Sequence, residues 1–167
     1  MRSTTLSGCV GRGFTLLEVL IVVVILGILA AVIVPQASSA RSDARDATRE
    51  ADLRAVEKSL EMCANDEGEY PISNSWSGDA PSYGGRGYDG DSGYIPGLSP
   101  QFMKELPRDP NNAYPRGDYG YLYRSDGVNF KFLAHRTPES YGPTKTFYDP
   151  IRPGHAWQVS TQGGANW

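Results

Sequence analysis

One carboxylate stands inside the most apolar stretch of this sequence. Residues 12–35 read RGFTLLEVLIVVVILGILAAVIVP, and Glu18 is the only charged residue between Phe14 and Pro35. An acidic side chain at the centre of a membrane helix costs about 2.5 to 3.5 kcal/mol, so such residues usually mark functional sites. Glu18 is therefore the first candidate functional residue. The alternative is a glutamate at a helix end whose carboxylate reaches the lipid headgroups.

The rest of the sequence offers little for catalysis. His135 and His155 have no cysteine or carboxylate at a recognised ligand spacing, and no nucleophile elbow or phosphate-binding loop occurs. Cys63 continues an apolar helical stripe, which favours a place in the core over a reactive role. The chain carries 16 basic and 19 acidic residues, and this acidic balance argues against nucleic-acid binding. We therefore expect a protein that is not an enzyme.

Two aspartates could offer oxygen ligands to a cation. Asp89 and Asp91 alternate with small residues in the stretch DGDSG, and calcium prefers carboxylate and carbonyl oxygens. An EF-hand loop that began at Asp89 would need a glutamate at its twelfth position, where Pro100 stands. A nonstandard calcium site at Asp89 and Asp91 and a plain turn therefore both stay open, and no other cofactor is predicted.

The apolar stretch has the length of a membrane span. Residues 14–34 would form a helix of about 32 Å, close to the thickness of the hydrocarbon core of a bilayer. The preceding residues contain Arg2 and Arg12 and no acid, as in the basic region of an export signal. An ordinary secretory signal cleaved after Ala40 is the alternative, but its apolar region would exceed the usual 7 to 15 or so residues. We predict a single-pass protein whose C-terminal head lies outside the cytoplasm.

The stretch Gly13-Phe14-Thr15-Leu16-Leu17-Glu18, followed by the apolar run and Pro35, resembles the N-terminal signal of type IV pilins and type II secretion pseudopilins. The resemblance covers roughly residues 11 to 40. It implies that prepilin peptidase cleaves after Gly13 and methylates Phe14. Glu18 would then pair with the amine freed at Phe14 of its own or a neighbouring subunit, which would fix the register of assembly. Pro35 would loosen the helix.

The resemblance also implies partners and a location. The mature chain would sit in the inner membrane, contact lipid and the assembly platform, and polymerise with copies of itself and with other pilins or pseudopilins. The filament would be a type II secretion pseudopilus or a type IV pilus. Cys63 would be the one cysteine left after cleavage, so the C-terminal disulfide loop common in type IVa pilins is excluded and a major pseudopilin is favoured. The alternative is a minor pilin with an adhesive head that depends on loop residues such as Trp76 or Tyr88.

A long helix should carry these residues. Alanines recur at spacings of three and four between residues 37 and 55. A second stripe of larger apolar residues has the same spacing and consists of Leu53, Val56, Leu60 and Cys63. The helix should end at Gly68. The interleaved charges of residues 41–54 predict a solvated face with local ion pairs. Residues 68–97 read as a surface loop. Ser99 as N-cap and Pro100 at the first helical position predict a short helix that ends before Pro107.

Three strands are predicted in the C-terminal part. Residues 119–124 and 128–134 flank the turn signal Ser125-Asp126-Gly127, and residues 155–161 read as a third strand. The second strand alternates apolar and polar residues, which predicts one buried face. The predicted fold is α+β: a long N-terminal helix, half transmembrane and half amphipathic, packed on a small antiparallel sheet. The predicted segments are leader 1–13, membrane and polymerisation helix 14–35, amphipathic helix 36–67, Gly/Ser/Tyr-rich loop 68–98 and β-sheet head 99–167.

Overall fold

The computed structural model describes residues 13–167, except for the side chains of residues 32–35 and 37. Helix α1 spans Leu16–Glu67, close to the predicted ends. Gly68 ends it with a φ of 85° and donates its N–H to the carbonyl oxygen of Ala64 at 3.0 Å. The chain divides into two compact units at Ala40, and the second unit, Arg41–Trp167, is called the head below.

The predicted membrane segment falls partly on residues 32–35, whose side chains lie outside the described part of the chain. Among the residues that the structure describes, no helix is both long enough and apolar enough to cross a membrane.

The sheet of the head has four antiparallel strands in the order β1-β2-β3-β4. They span Ser73–Gly78, Gly120–Ser125, Phe130–His135 and Ala156–Ser160. The last three confirm the predicted strands within one or two residues. The prediction of a loop over residues 68–97 is wrong where β1 lies, because the segment SNSWSG has neither β-branched residues nor a clean alternation that would indicate a strand. Short 3₁₀ helices follow at Pro81–Tyr83 and Gly90–Ser92.

The core of the head lies between α1 and the sheet. The apolar stripe of Leu53, Val56, Leu60 and Cys63 is buried, as predicted, in one cluster with the inner face of the sheet. The cross-strand register places Phe132 beside Tyr123 on one side and beside Val159 on the other. The α+β fold, with a helix packed on an antiparallel sheet, is therefore confirmed.

The outer face of the sheet is buried as well, so the prediction of a single buried face is wrong. All six residues of β3 are buried. Leu122, Leu133 and Ala156 form a second apolar cluster with Ala80, covered by Trp76 and Tyr83. Val128, which was predicted to begin the strand, lies outside β3 and is 77% exposed.

The predicted helix after Ser99 is also wrong. The chain forms turns there, with single hydrogen bonds from the N–H groups of Phe102 and Met103 to the carbonyl of Leu98. The hydroxyl of Ser99 donates to the carbonyl oxygen of Lys104 at 2.9 Å. Because an N-cap must accept from an N–H two or three residues ahead, this side chain closes a loop instead of starting a helix.

Candidate processing and assembly site

The candidate assembly residue Glu18 lies in the first turn of α1, and it has a hydrogen-bonding partner in the single chain. The N–H and the hydroxyl of Thr15 both donate to Oε2 of Glu18, at 2.9 and 3.0 Å. In return, the N–H of Glu18 donates to the hydroxyl oxygen of Thr15 at 3.2 Å. This reciprocal arrangement is a capping box, which satisfies N–H groups that have no partner within the helix. Glu18 therefore stabilises the start of α1 as well as being a candidate for assembly.

The predicted processing residues precede the helix. Gly13 and Phe14 have no regular secondary structure, and Phe14 is 85% exposed. A side chain placed on Gly13 would meet no atom within 4 Å. Packing of the described chain therefore does not require glycine at residue 13, whereas an enzyme that must bind extended backbone closely would favour it.

The first turns of α1 expose apolar side chains in all directions. From Leu16 to Leu29 the large apolar residues are between 49% and 92% exposed. A helix that is apolar all round is normally buried against protein or lipid. This surface therefore needs cover that one isolated chain does not provide. Pro35 lies within the bounds of α1, but its side chain is outside the described residues.

Part of the charged segment 41–54 is buried in the head, so the prediction of a solvated face is wrong at Asp46 and Arg49. The side chain of Arg49 is fully buried and donates to both carboxylate oxygens of Asp109, at 2.7 and 2.8 Å. Its third contact is with Asp46 at 2.9 Å. Burial alone would lower the pKa of Arg49, but the hydrogen bonds and charges of Asp109 and Asp46 outweigh it and raise the pKa.

Asp46 extends this buried network to a second loop. Its carboxylate accepts the N–H groups of Glu139 and Ser140 at 2.8 and 3.0 Å, and the hydroxyl of Ser140 at 2.7 Å. Glu139 also pairs with Arg45 at 2.7 Å. Since charged groups accept stronger hydrogen bonds than neutral ones, one turn of α1 holds two distant loops of the head in place.

Two further aspartates lie near the inner face of the sheet. The hydroxyl of Tyr121 donates to Asp52 at 2.7 Å, and the N–H of Tyr121 donates to Asp79 at 2.8 Å. Burial raises the pKa of Asp52 to about 6, although the hydrogen bond from Tyr121 opposes the shift. Burial likewise raises the pKa of Asp79 to about 6, against the hydrogen bonds from Tyr121 and Tyr88. Both carboxylates would therefore gain protons in mildly acidic solution.

Comparison with known proteins supports the interpretation of the N-terminus. Residues 11–34 match the prokaryotic N-terminal methylation motif. The chain is 46% identical over 59 residues to the type II secretion system core protein G of Pseudomonas aeruginosa, and 40% identical over 63 residues to that of Escherichia coli K12. These matches cover 35% and 38% of this chain and only 42% and 43% of the relatives' lengths.

A longer match reaches into the head. The type II secretion system core protein G of Vibrio cholerae is 36% identical over 123 residues, which cover 68% of this chain and 72% of that protein. This chain belongs to the type II secretion system core protein G family. No solved structure matches it. The family assignment confirms the predicted likeness to pseudopilins.

In this core protein G family member, Asp89 and Asp91 lie on the surface, Asp91 within the 3₁₀ helix Gly90–Ser92 and Asp89 directly before it. The hydroxyl of Ser92 donates to the backbone carbonyl of Asp89 at 3.0 Å. In the described part of the chain, no group of three or more His, Cys, Asp and Glu side chains is placed to hold a metal ion. Calcium binding at Asp89 and Asp91 stays a prediction.

The two residues named for an adhesive head are packed in this family member, and Trp76 lies in strand β1 instead of a loop. Trp76 covers the outer cluster of the sheet, and the guanidinium carbon of Arg152 lies 5.0 Å from its ring centroid. Tyr88 packs on the main core, and Arg108 lies 4.0 Å from its ring centroid. Loss of either side chain would therefore disturb the fold, so neither supports an adhesive surface.

Proposed function

We propose that the chain is the precursor of a type II secretion pseudopilus subunit, cleaved by prepilin peptidase between Gly13 and Phe14 and methylated at Phe14. The observation that carries the proposal is the methylation motif over residues 11–34. The exposed, non-helical positions of Gly13 and Phe14 support it, because a protease binds its substrate outside helical structure. Cleavage removes Arg2 and Arg12 and leaves a mature chain with 14 basic and 19 acidic residues.

Assembly gives Glu18 a second partner. In the single chain the carboxylate accepts two hydrogen bonds from Thr15. The amine freed at Phe14 of a neighbouring subunit carries a full positive charge. In an apolar filament core this amine is a stronger partner for the carboxylate than the neutral groups of Thr15. The apolar side chains of Leu16 to Leu29 then pack against other subunits, which removes their exposure.

The proposed location follows from the family and the motif. The precursor waits in the inner membrane with its head outside the cytoplasm, in contact with lipid, prepilin peptidase and the assembly platform. It joins copies of itself and other pseudopilins in the filament, as the major subunit. Its role is structural and not enzymatic.

Mass spectrometry of the mature N-terminus tests the processing step. We expect a chain that begins at Phe14 and carries one added methyl group on its amine. A chain that begins near Arg41 without methylation would contradict the proposal and support ordinary secretion.

Substitution of Glu18 separates processing from assembly. Glu18→Ala should leave cleavage and methylation intact but abolish filament formation, measured by shearing and pelleting of filaments from cells. Thr15→Ala is the matched control for the capping box, because it removes both hydrogen bonds of the Thr15 hydroxyl and keeps the carboxylate. If Glu18→Ala assembles normally, or if Thr15→Ala abolishes assembly equally, the proposed pairing of Glu18 is wrong.

A further inference from the structure

A groove opens in the head beside the C-terminal end of α1. It has a volume of about 260 Å³ and is lined by acidic and apolar residues, among them Glu67, Glu69, Tyr70, Ile72, Gln101 and Phe102. Met62, Asn65 and Asp66 line an adjoining depression. Met62 and Ile72 are each 48% exposed. We call this surface the acidic groove; its described lining contains no lysine or arginine.

The negative charge of the acidic groove has no balancing cation in its own sequence segment. Residues 61–69 contain four acids and no lysine or arginine. They lie at the carboxyl end of a helix, where the backbone carbonyls add partial negative charge. Within the groove, the side-chain amide of Gln101 donates a hydrogen bond to Glu67 at 3.2 Å, and this donor carries no charge. A complementary occupant therefore carries a positive charge together with apolar surface.

The head carries such a surface in the loop before β2. Arg116 is exposed, and its guanidinium carbon lies 5.7 and 5.5 Å from the ring centroids of Tyr114 and Tyr119. The two rings stack on each other with their centroids 5.4 Å apart. In the described chain the contacts of this guanidinium are with aromatic rings and not with a carboxylate. We call residues 111–119 the basic loop, because their one acid, Asp118, is paired with Arg136 at 2.8 Å and Arg116 is the charge left to bind a partner.

The two surfaces lie at opposite ends of strand β2. The basic loop leads directly into Gly120, where β2 begins. The strand ends at Ser125, and the turn that follows reaches the acidic groove, because the N–H of Tyr70 donates to the carbonyl of Gly127 at 2.8 Å. Six strand residues span about 20 Å. The acidic groove and the basic loop of one chain are therefore kept apart.

We propose that the basic loop of one subunit docks in the acidic groove of a second copy of this chain, with Arg116 facing Glu67 and Glu69. The tyrosine rings then pack against the apolar lining of the groove. A contact between two different surfaces of identical chains is heterologous and propagates into a filament or a ring, unlike a two-fold contact, which closes as a dimer. The inference rests on the proposed function, because it assigns the head contacts of the same filament.

Charge reversal tests this docking in the full chain, expressed with its secretion system. Arg116→Glu should reduce the sheared filament recovered by about tenfold or more, because like charges then face each other. Glu67→Lys combined with Glu69→Lys should cause a similar loss. The triple variant should recover most of the filament, which a variant with a damaged fold would not do.

The matched controls are Arg86→Glu and Glu105→Lys, which reverse exposed charges outside both surfaces and should leave the filament unchanged. A cysteine pair gives a second readout. With Asn65→Cys and Asn112→Cys in one chain, oxidation should produce a ladder of disulfide-linked multimers, since Cys63 is buried. Either single cysteine should give no species beyond a dimer.

Full assembly of Arg116→Glu, or failure of the triple variant to recover, would overturn the docking proposal. Methylation of Phe14 in the same samples separates this result from failure of the proposed function. A methylated chain that assembles regardless of Arg116 contradicts the docking alone. A chain without methylation contradicts the proposed function and the docking with it.

Discussion

Arg49 on α1 and Asp109 in the loop before β2 form a two-point ion pair inside the head. Nε of Arg49 lies 2.7 Å from Oδ2 of Asp109, and Nη2 lies 2.8 Å from Oδ1. The exposed fractions of the two side chains are 0% and 1%. Removal of one partner from such a pair leaves an uncompensated buried charge, whereas removal of both can be nearly neutral. The pair therefore fixes where the loop meets the helix.

Arg49→Met should lower the free energy of unfolding of the head by about 3 to 5 kcal/mol, because Asp109 is left buried without its cation. Urea unfolding of the full chain in detergent, followed by tryptophan fluorescence, measures this change, since Trp157 is buried in the core.

The control is Arg54→Met, because Arg54 is 62% exposed and lies 3.7 Å from Glu50. Arg54→Met should lower the free energy of unfolding by about 1 kcal/mol or less. The double variant Arg49→Met with Asp109→Leu should recover only part of the loss, because Asp46 still lacks its cation. Equal stability of the Arg49→Met and Arg54→Met proteins would show that the buried pair does not stabilise the head.

This ion pair illustrates what the sequence could not predict. Asp46 and Arg49 are spaced as an ordinary surface pair on a helix, and the local pattern of charges is the same whether such a pair is exposed or buried. Their burial depends on Asp109, which lies 60 residues from Arg49 in the chain. The apolar stripe from Leu53 to Cys63 could be predicted, because it depends only on the local spacing of apolar residues.

The residues of the N-terminal site could be identified from the sequence, but the hydrogen bonds between them were not predicted. The motif around Gly13 and Phe14 indicates the family, and Glu18 stands out by its charge. The capping box was missed, although Thr15 and Glu18 have the spacing of its signature, a threonine followed three residues later by a glutamate. The apolar run after Glu18 is typical of a membrane helix, and this signal is stronger in the sequence than the local spacing of Thr15 and Glu18.

Asp52 should make the stability of the head depend on pH. Burial raises its pKa from 3.8 to about 6 in the folded chain. The folded state then binds the proton more tightly than the unfolded state between these values, so stability rises as the pH falls through this window and is lower above it. Asp52→Asn should therefore unfold at a higher temperature than the wild type at about pH 7.5, and the difference should shrink towards about pH 5.

Circular dichroism melting curves across this pH range check the expectation. Asp79 also has a pKa raised to about 6, so the Asp52→Asn protein should keep part of the pH dependence. Asp43→Asn is the control, because Asp43 is exposed on the same helix. If Asp52→Asn and wild type melt with the same difference at every pH, the titration of Asp52 does not contribute.

Gly120 is required by the close approach of Asp79 at the start of β2. A Cβ atom on Gly120 would overlap Oδ1 of Asp79 and crowd the side chain of Ala80. The same carboxylate accepts the N–H of Tyr121, so it cannot move without loss of that hydrogen bond. Gly120→Ala should destabilise the head by about 1 to 3 kcal/mol.

The control for Gly120 is Gly142→Ala, where the new methyl group would meet only the hydroxyl of Thr144 at 3.9 Å. Differential scanning calorimetry of the two variants should show a lower midpoint for Gly120→Ala and little change for Gly142→Ala. Equal midpoints would mean that the backbone of β2 moves to accept a side chain.

Lys131 should stabilise the outer face of the sheet through its buried ammonium group. Nζ lies 3.3 Å from Oδ1 of Asp149 and donates to the carbonyl oxygens of Ala165 and Trp167 at 2.9 and 3.1 Å. Burial lowers the pKa of Lys131, and Asp149 partly offsets this effect. The ammonium group therefore joins β3 to two other segments of the head.

Lys131→Met keeps the length of the side chain but removes these three contacts and one of the two cations beside Asp149, the other being Arg152 at 3.2 Å. Because Asp149 is fully buried, we expect a loss of about 3 kcal/mol in urea unfolding. Hydrogen exchange should show faster opening near Trp167 than in the wild type, while Lys58→Met, an exposed position on α1, should change neither measurement. Unaltered exchange near Trp167 in Lys131→Met would show that Lys131 does not hold the C-terminal segment, which also contacts Arg152 at 2.6 Å and has Arg124 4.8 Å from the Trp167 ring centroid.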